Sequence, residues 1–219
     1  MGQAYKIDRI NLITYKGQKK KTVKSLRCRY MAKSQIVNCI AQSQSFEYVN
    51  FRGSHFKKVN FKNAVFIGCD FWGTTFNECK FQNAKFQDCI FMASKFKECD
   101  FSGASFSYST FVNTNLDECH NIDTSSGVFY YQTYPTIDIS PELEQALEML
   151  KNNRNLKKNK LLYISDKKYN ALNLFLLQKR FKKILPTLLM ELTNHSTEKI
   201  TTYKKLERTL NKIAKTDII

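Results

Sequence analysis

Histidine is scarce in this sequence, and the residue patterns of metal and catalytic sites are missing from it. The three histidines, His55, His120 and His195, belong to no HExxH motif, no CxxC motif and no Cys/His cluster with metal-ligand spacing. The segment after Gly17 lacks the glycine spacing of a phosphate loop. No Ser/His/Asp or paired-carboxylate arrangement can be assembled either. We therefore expect surface histidines, no metal, no cofactor and no enzymatic activity.

Long apolar runs are also lacking. No uncharged apolar stretch approaches the length that is needed to cross a membrane. The N-terminus has no apolar core of the kind that a secretory signal contains. We therefore expect a cytoplasmic protein.

What the sequence has in excess is phenylalanine at a fixed spacing. From Phe46 to Phe111 every fifth residue is phenylalanine, and Leu116 continues the series. These fourteen rings are most of the seventeen phenylalanines in the chain. A step of five residues turns by about 140° around a helix and alternates between the faces of a strand, so neither element would collect the rings on one side. The chain must therefore turn about once per repeat.

A small residue stands two positions before each of these central residues. From Val49, before Phe51, to Thr114, before Leu116, these positions hold only Val, Ser, Ala, Cys or Thr. The filled interior of a narrow solenoid requires this alternation of bulky and compact side chains. Identical residues recur 20 positions apart: Cys69 and Cys89; Cys79, Cys99 and Cys119; Ala64, Ala84 and Ala104. Four repeats therefore make one turn.

Five of the seven cysteines occupy these interior positions. Stacked parallel side chains point the same way rather than at each other, which disfavours disulfides between them. The pattern therefore favours a reducing compartment over a disulfide scaffold, and we interpret the thiols as small apolar fillers.

The repeat segment resembles the pentapeptide-repeat family over about residues 36–121. The resemblance implies a mainly β fold, a right-handed parallel β-helix with four sides, in which the central Phe or Leu and the small residue before it point inward. Asp or Asn directly before the central residue is frequent in that family and occurs here at Asn50, Asn60, Asp70, Asp100 and Asn115. We predict about four coils.

The chain is expected to divide into four segments. Residues 1–35 form a basic N-terminal β cap with a hairpin around Gly17, built from Ile7, Ile10 and Leu12 on one arm. Residues 36–122 form the β-helix, and 123–139 form a tyrosine-rich linker whose rings either cover the end of the solenoid or stack on a ligand. Residues 140–219 form a basic region of about three α-helices. The predicted helix starts are Ser140–Pro141, Ser165–Asp166 and Thr197–Glu198.

Positive charge lies outside the repeats. Residues 1–40 have a net charge of +9, residues 41–122 of 0 and residues 123–219 of +7. Such a balance suggests attraction to nucleic acid, acidic protein surfaces or anionic lipid, although charged runs are often only solvated faces. The candidate contact residues are Lys19, Lys20, Lys21, Lys179, Arg180, Lys182 and Lys183.

One outer side of the β-helix is predicted to be apolar. Trp72, Met92 and Val112 stand 20 residues apart, with Ile90 beside them. An apolar stripe of this kind is not expected to face water alone. We predict that the C-terminal helices pack on it or that it forms a homodimer contact.

Three hypotheses of function follow. The first is a non-catalytic scaffold that presents basic termini to a protein or protein–nucleic-acid partner. The second comes from the resemblance, because some pentapeptide-repeat proteins bind type II topoisomerases such as DNA gyrase and protect them from quinolones or toxins, with an acidic solenoid that imitates DNA. The charge-balanced repeats of this chain depart from that pattern. The third is electrostatic binding of nucleic acid or an anionic membrane.

Overall fold

The computed structural model describes residues 9–216, within two compact units. The first unit is Met1–Thr133 and the second is Tyr134–Ile219. Ile7, which was expected in the N-terminal β segment, lies outside the described residues. Between residues 9 and 216, no helix combines the length and the apolar character needed to span a bilayer.

Short strands build the first unit, and most of them consist of a central residue and its two neighbours. Residues on either side of each inward ring point outward, as the alternation of a strand requires. The strands are β1 (Asn11–Ile13), β2 (Leu26–Arg27), β3 (Gln35–Val37), β4 (Ser45–Glu47), β5 (His55–Lys57), β6 (Val65–Ile67), β7 (Thr75–Asn77), β8 (Lys85–Gln87), β9 (Ile90–Met92), β10 (Lys95–Lys97), β11 (Ser105–Ser107), β12 (Ser109–Val112) and β13 (Val128–Tyr131).

Parallel pairing between successive coils forms the sides of a solenoid. Three sides are sheets with the strand orders β1-β3-β5-β7-β10, β11-β8-β6-β4-β2 and β13-β12-β9. Within them the central rings are in register, as where Phe56 lies beside Phe76. A ladder of single bridges forms the fourth side and runs through Thr22, Ile40, Asn60, Lys80, Asp100 and His120. The predicted parallel, four-sided solenoid is confirmed.

The solenoid has about six turns rather than the predicted four. The prediction began the solenoid at residue 36, whereas coils that contain β1 and β2 precede that residue. Met31 and Ile36 are buried with 5% and 0% of their surface exposed. These residues occupy the interior that Phe51 and Phe56 occupy one coil later.

Each repeat ends in a corner with left-handed backbone conformation. Every fifth residue from Cys28 to Asn113 has positive φ, between 45° at Asn113 and 67° at Gly103. Glycine adopts this conformation without strain, whereas other residues are disfavoured by about 1 kcal/mol or more. Tyr48, Tyr108 and Ala93 adopt it nevertheless. The corners are therefore held by the ladder on both sides of them rather than by local preference.

Phenylalanine rings fill the interior in four columns. Phe56 and Phe76 stack with centroids 5.0 Å apart, and Phe76 and Phe96 stack at 4.7 Å. Rings on adjacent sides meet edge to face, as Phe76 and Phe81 do at 5.5 Å. Both geometries are favourable for aromatic pairs and add about 0.5–1.5 kcal/mol per pair beyond the burial of apolar surface.

Hydroxyl and thiol groups at the small interior positions bind the coil below. Thr74 Oγ1 donates to the carbonyl oxygen of Phe51 at 2.9 Å, and Cys69 Sγ donates to that of Phe46 at 3.2 Å. The spacing of 23 residues recurs at Cys79, Cys89, Ser94, Ser109 and Thr114. The thiols therefore fill space, as predicted, and also provide hydrogen bonds between coils.

Asn and Asp before the central residue close a local turn. Their side-chain oxygen accepts a hydrogen bond from the backbone N–H two residues later, as in the 3.0 Å contact from Lys62 N to Asn60. Asp100 has additional partners: Ser102 Oγ at 2.6 Å, Gln82 Nε2 at 2.6 Å and Asn121 Nδ2 at 3.2 Å. These hydrogen bonds, that from the Ser102 side chain foremost, lower the pKa of Asp100 to about 2.

The predicted N-terminal hairpin is wrong. Strand β1 pairs in parallel with β3, and β2 pairs in parallel with β4. The basic segment is thus an additional coil of the solenoid. A hairpin would leave the lower edge of β3 and β4 without partners, whereas a further coil continues the same ladder.

A tyrosine continues one ring column at the other end of the solenoid. Strand β13 pairs in parallel with β12, and the ring of Tyr130 stacks on Phe111 at 5.3 Å. The expectation that linker aromatics cover the end of the solenoid is confirmed for Tyr130. Phe129 and Tyr134 are about half exposed.

The second unit contains helices around a leucine core. They are α1 (Pro141–Leu150), α2 (Arg154–Lys158), α3 (Ala171–Phe181), α4 (Leu185–Glu191) and α5 (Tyr203–Thr216), with a hairpin of β14 (Tyr163–Ser165) and β15 (Lys168–Tyr169) before α3. Helix α1 begins as predicted, because Ser140 Oγ accepts from Leu143 N and Pro141 occupies the first turn. Pro186 lies in the first turn of α4.

The other two predicted helix starts are wrong. Ser165 and Asp166 lie in the hairpin, where Asp166 pairs with Lys157 at 2.7 Å, and Asn170 caps α3 instead. The Thr197 hydroxyl donates to Asn153 at 3.0 Å and caps no helix. Helix α5 consequently begins at Tyr203.

Gly127 allows a test of the close backbone contact between the final coil and the coil before it. Its φ is +74°, and a Cβ atom would collide with the backbone carbonyl of Phe106. We expect Gly127→Ala to lower the free energy of unfolding by clearly more than the strain of about 1 kcal/mol for a left-handed alanine. Gly73→Ala is the matched control, because Gly73 has φ +60° with no atom near its missing Cβ. Urea unfolding of both variants checks this, and equal losses would contradict it.

The lowered pKa of Asp100 leads to a prediction about how the stability of the solenoid falls at acidic pH. Because its pKa falls from 3.8 to about 2 on folding, its ionised form stabilises the fold above pH 3.8, and this contribution is lost as the pH falls through about 2. We expect wild type to lose more stability than Asp100→Asn between these pH values. Thermal unfolding across the range measures it, and parallel curves would refute the prediction.

Candidate interaction surfaces

Lys19, Lys20 and Lys21 are carried by a loop inserted into the first coil. The chain takes nine residue steps from Ile13 to Thr22, where the next coil takes three from Val37 to Ile40. The sequence contained no repeat from which this insertion could be recognised.

Hydrogen bonds hold the base of this inserted loop. Thr14 Oγ1 accepts from Lys21 N at 3.0 Å, and Asn38 Nδ2 donates to the Thr14 carbonyl at 3.2 Å. Gln18 closes a turn with Tyr15 at 3.2 Å. The three lysine side chains are exposed, so the loop is a fixed, positively charged projection.

The outer face beside Lys20 has mixed charge. A shallow depression of about 500 Å³ contains Lys58, Lys80, Glu78 and Glu98. Lys58 Nζ lies 3.1 Å from Glu78. Pairs of this kind in solvent contribute little to stability, but they cancel the charge of the repeats locally.

Three residues of the apolar stripe are buried, in agreement with the expectation that it would not face water alone. Ile90, Met92 and Val112 have 6%, 3% and 0% of their surface exposed. The prediction that the helices or a second copy provide the cover stays a prediction.

Trp72 is partly buried and paired with Arg52. The Arg52 guanidinium carbon lies 3.3 Å from the centre of the Trp72 ring, a cation–π contact. Burial lowers the pKa of Arg52 to about 10, against the opposing effects of Tyr30 and Asp70. Arg52 lies 20 residues before Trp72, but this contact was not predicted from the sequence.

A cleft of about 960 Å³ lies near the C-terminal end of the solenoid. Its apolar lining includes Phe96, Phe111, Leu116 and Tyr130, and polar residues such as Lys95 line it as well. At this cleft the sheet that ends with β10 continues into the next coil only through a single β-bridge, between Lys95 and Asn115.

The basic end of α3 lies beside α5. Arg180 Nε lies 3.8 Å from Glu207 of α5, and Arg180 Nη2 donates to Asn211 at 3.3 Å. Lys204 Nζ lies 2.9 Å from the second oxygen of Glu207. The Glu207 side chain is only 11% exposed, whereas Lys179, Arg180, Lys182 and Lys183 are exposed. Neither Glu207 nor Asn211 was singled out from sequence, because only contact between the helices reveals their role.

The histidines are dispersed, as predicted. His55 lies opposite Thr75 in the ladder, His120 bridges to Asp100, and His195 is exposed after a short 3-10 turn. Among residues 9–216, no three His, Cys, Asp or Glu side chains are grouped so that they could hold a metal ion.

Burial and hydrogen bonding shift the pKa of several thiols in different directions, and the hydrogen bond with Cys79 lowers the pKa of Cys99. All seven cysteines are free, and burial raises the pKa of Cys79 and Cys89 well above its usual value. Burial also raises the pKa of Cys119, to about 12. Since the thiolate is the nucleophile, the thiols whose pKa is raised are inert at neutral pH.

Five-residue repeats that stack into four-sided coils define the first unit as a parallel β-solenoid. Residues 39–119 match the family described as pentapeptide repeat region. The comparison with curated proteins found no match.

Solved structures with similarity are also pentapeptide-repeat proteins. One from the Arabidopsis thaliana thylakoid lumen is 14% identical, with 43% of this chain and 70% of that chain covered and a TM-score of 0.34. Rfr23 of the cyanobacterium Cyanothece is 11% identical, with 57% and 82% covered and a TM-score of 0.33. QnrB1, a plasmid-mediated fluoroquinolone resistance protein, is 11% identical, with 66% and 98% covered and a TM-score of 0.16. Likenesses this distant carry no information on partners.

Glu207 provides a test of the contact between α3 and α5. We expect Glu207→Gln to lower the free energy of unfolding by about 1–3 kcal/mol, because Lys204 and Arg180 lose a charged acceptor. The exposed Glu198→Gln is the matched control and should change stability by less than about 0.5 kcal/mol. Thermal unfolding of the full chain measures both variants. Equal losses of stability would show that Glu207 does not stabilise the contact between α3 and α5.

Proposed function

We propose that this pentapeptide-repeat protein is a non-catalytic scaffold that presents its basic termini to a macromolecular partner, either a protein or a protein–nucleic-acid complex. The observation that carries the proposal is the separation of charge. Exposed lysines occupy a braced loop at one end of the solenoid and the end of α3 in the helical unit. The repeats between them in the sequence are neutral, with pairs such as Lys58–Glu78 at 3.1 Å.

The rigidity of the first unit supports a scaffold role. Ring columns and ladders run through successive coils, so few backbone groups are left to be ordered when a partner binds. A preorganised surface loses little conformational entropy on association. The lysine loop shares this advantage, because the hydrogen bonds that Thr14 accepts from Lys21 N and Asn38 Nδ2 already fix its base.

A topoisomerase is the alternative partner. The family resemblance of the repeat segment raises it. Direct imitation of DNA fits this chain poorly, since acidic side chains on the solenoid have basic neighbours, as in the Lys58–Glu78 pair at 3.1 Å. We therefore rank a topoisomerase second among the possible partners. In that case the protein would contact the DNA of a topoisomerase–DNA complex rather than replace the DNA.

The free buried thiols support a reducing compartment, and we propose that the protein works in the cytoplasm. Oxidation would have to act on thiols that are shielded in the solenoid interior, where Cys69 and Cys89 have no exposed surface.

The proposal is tested by affinity capture from the native host with mass spectrometry. The bait is the full chain, and the comparison bait carries Lys19→Glu, Lys20→Glu and Lys21→Glu. We expect one or more partners to be retained by wild type and lost with the charge-reversed loop, because electrostatic complementarity determines such contacts. The matched control reverses Lys57, Lys62 and Lys95, which lie on the outer faces of the repeats.

Equal capture by all three baits would contradict a role for the basic loop. The topoisomerase alternative is tested separately, by gyrase supercoiling with and without a quinolone. Unchanged supercoiling and unchanged inhibition at saturating protein would exclude that partner.

A further inference from the structure

We propose that the end of α3 and the outer face of α5 form one surface that binds the phosphate backbone of nucleic acid. The inference rests on the proposed function and names the partner class for the helical unit. The sequence treated the α3 residues and the basic residues of α5 as separate runs. The structure joins them, because Arg180 reaches both Glu207 and Asn211 of α5.

Helix α5 presents a row of positive charge. Leu206, Leu210 and Ile213 are buried with at most 2% of their surface exposed, so the opposite side of the helix faces solvent. Arg208, Lys212 and Lys215 are exposed. At about 1.5 Å per residue the row from Arg208 to Lys215 extends about 10 Å. Lys179, Lys182 and Lys183 add charge beside it, next to the Arg180 contact.

The packing of α5 argues against insertion into a membrane. A basic amphipathic helix binds lipid by burying its apolar side among acyl chains. In this protein that side is already occupied, since Leu206 and Leu210 are fully buried in the helical unit. Only the charged side is available, so the partner must be recognised by charge.

The composition of the surface favours nucleic acid over an acidic protein. Protein interfaces have a core with few charges and are depleted in lysine, whereas nucleic-acid interfaces are much more positively charged. The exposed large apolar side chain near this surface is Ile184, at 42%. A single isoleucine provides no apolar core. Each strand of duplex DNA carries about one negative charge per 3.4 Å, and the three cations along about 10 Å of α5, with those of α3 beside them, have a comparable spacing.

Glu207 has a positioning role in this arrangement. Its carboxylate lies beneath the surface, 11% exposed, and contacts Lys204 and Arg180 from opposite helices. Through its contact with Arg180, Glu207 holds the basic end of α3 next to Arg208 and Lys212 of α5. The acidic group does not compete for the partner, because it faces the interior of the unit.

The test is fluorescence anisotropy of the full chain with a labelled, random-sequence DNA duplex at about 50 to 200 mM salt. The variants are Lys183→Gln, Lys212→Gln and the double variant, one residue from each part of the surface. Each lost phosphate contact should reduce the slope of log affinity against log salt by about 0.9, so the double variant should lose about 1.8. Circular dichroism confirms that the variants are folded.

The matched control is Lys167→Gln with Lys168→Gln, two exposed residues of the hairpin in the same unit. It should keep the wild-type slope, and Ile184→Ser should keep the wild-type affinity. Equal losses in the control and the test variant would overturn the proposal, as would no duplex binding at the lowest salt.

Two further probes identify other partners. Binding of polyglutamate but not of the duplex, or a large effect of Ile184→Ser, would assign the surface to an acidic protein. Binding only to phosphatidylserine vesicles would assign it to a membrane. If duplex binding fails while affinity capture still depends on the N-terminal lysines, this inference is overturned and the proposed function stands.

Discussion

Stacking of phenylalanine on phenylalanine is the interaction on which the rest of the solenoid depends. The coil spacing brings rings such as Phe76 and Phe96 to 4.7 Å, and this contact requires every central residue to keep its register with the coil below. Register in turn determines where the corners fall, and it forces non-glycine residues such as Tyr108 into left-handed backbone. Ring packing and ladder hydrogen bonds together hold conformations that the corner residues would not adopt alone.

The same register also determines which side chains are neighbours on the outer surface. Outward residues 20 positions apart must lie beside each other, so a lysine above a glutamate becomes a neutral pair, as with Lys58 and Glu78. A solenoid of this regularity has few places for a concave site with converging side chains. Distinct chemistry is found where the lattice is interrupted, in the inserted loop before Thr22 and in the helical unit. This division separates the part that provides shape from the parts that provide charge.

Much of the fold could be predicted from spacing, because a five-residue period has very few structural solutions. The number of turns and the first coil could not be predicted, since the loop inserted between Ile13 and Thr22 interrupts the five-residue period. In the helical unit, Ser165–Asp166 is a good capping pair by composition, yet Asp166 lies in the hairpin and pairs with Lys157 of α2. The candidate lysines were visible as charge runs, whereas their common surface depended on Glu207, whose partner Arg180 is 27 residues earlier in the chain.

Tyr130 is the last ring of its aromatic column in the solenoid. It adds a final aromatic ring to the column above Phe111, but about half of its surface is exposed. A phenylalanine at this rung would offer an apolar plane on which the column of another molecule could continue. The phenolic hydroxyl lies at the edge of the ring, so Tyr130 combines an aromatic face that stacks on Phe111 with a polar edge that can remain hydrated.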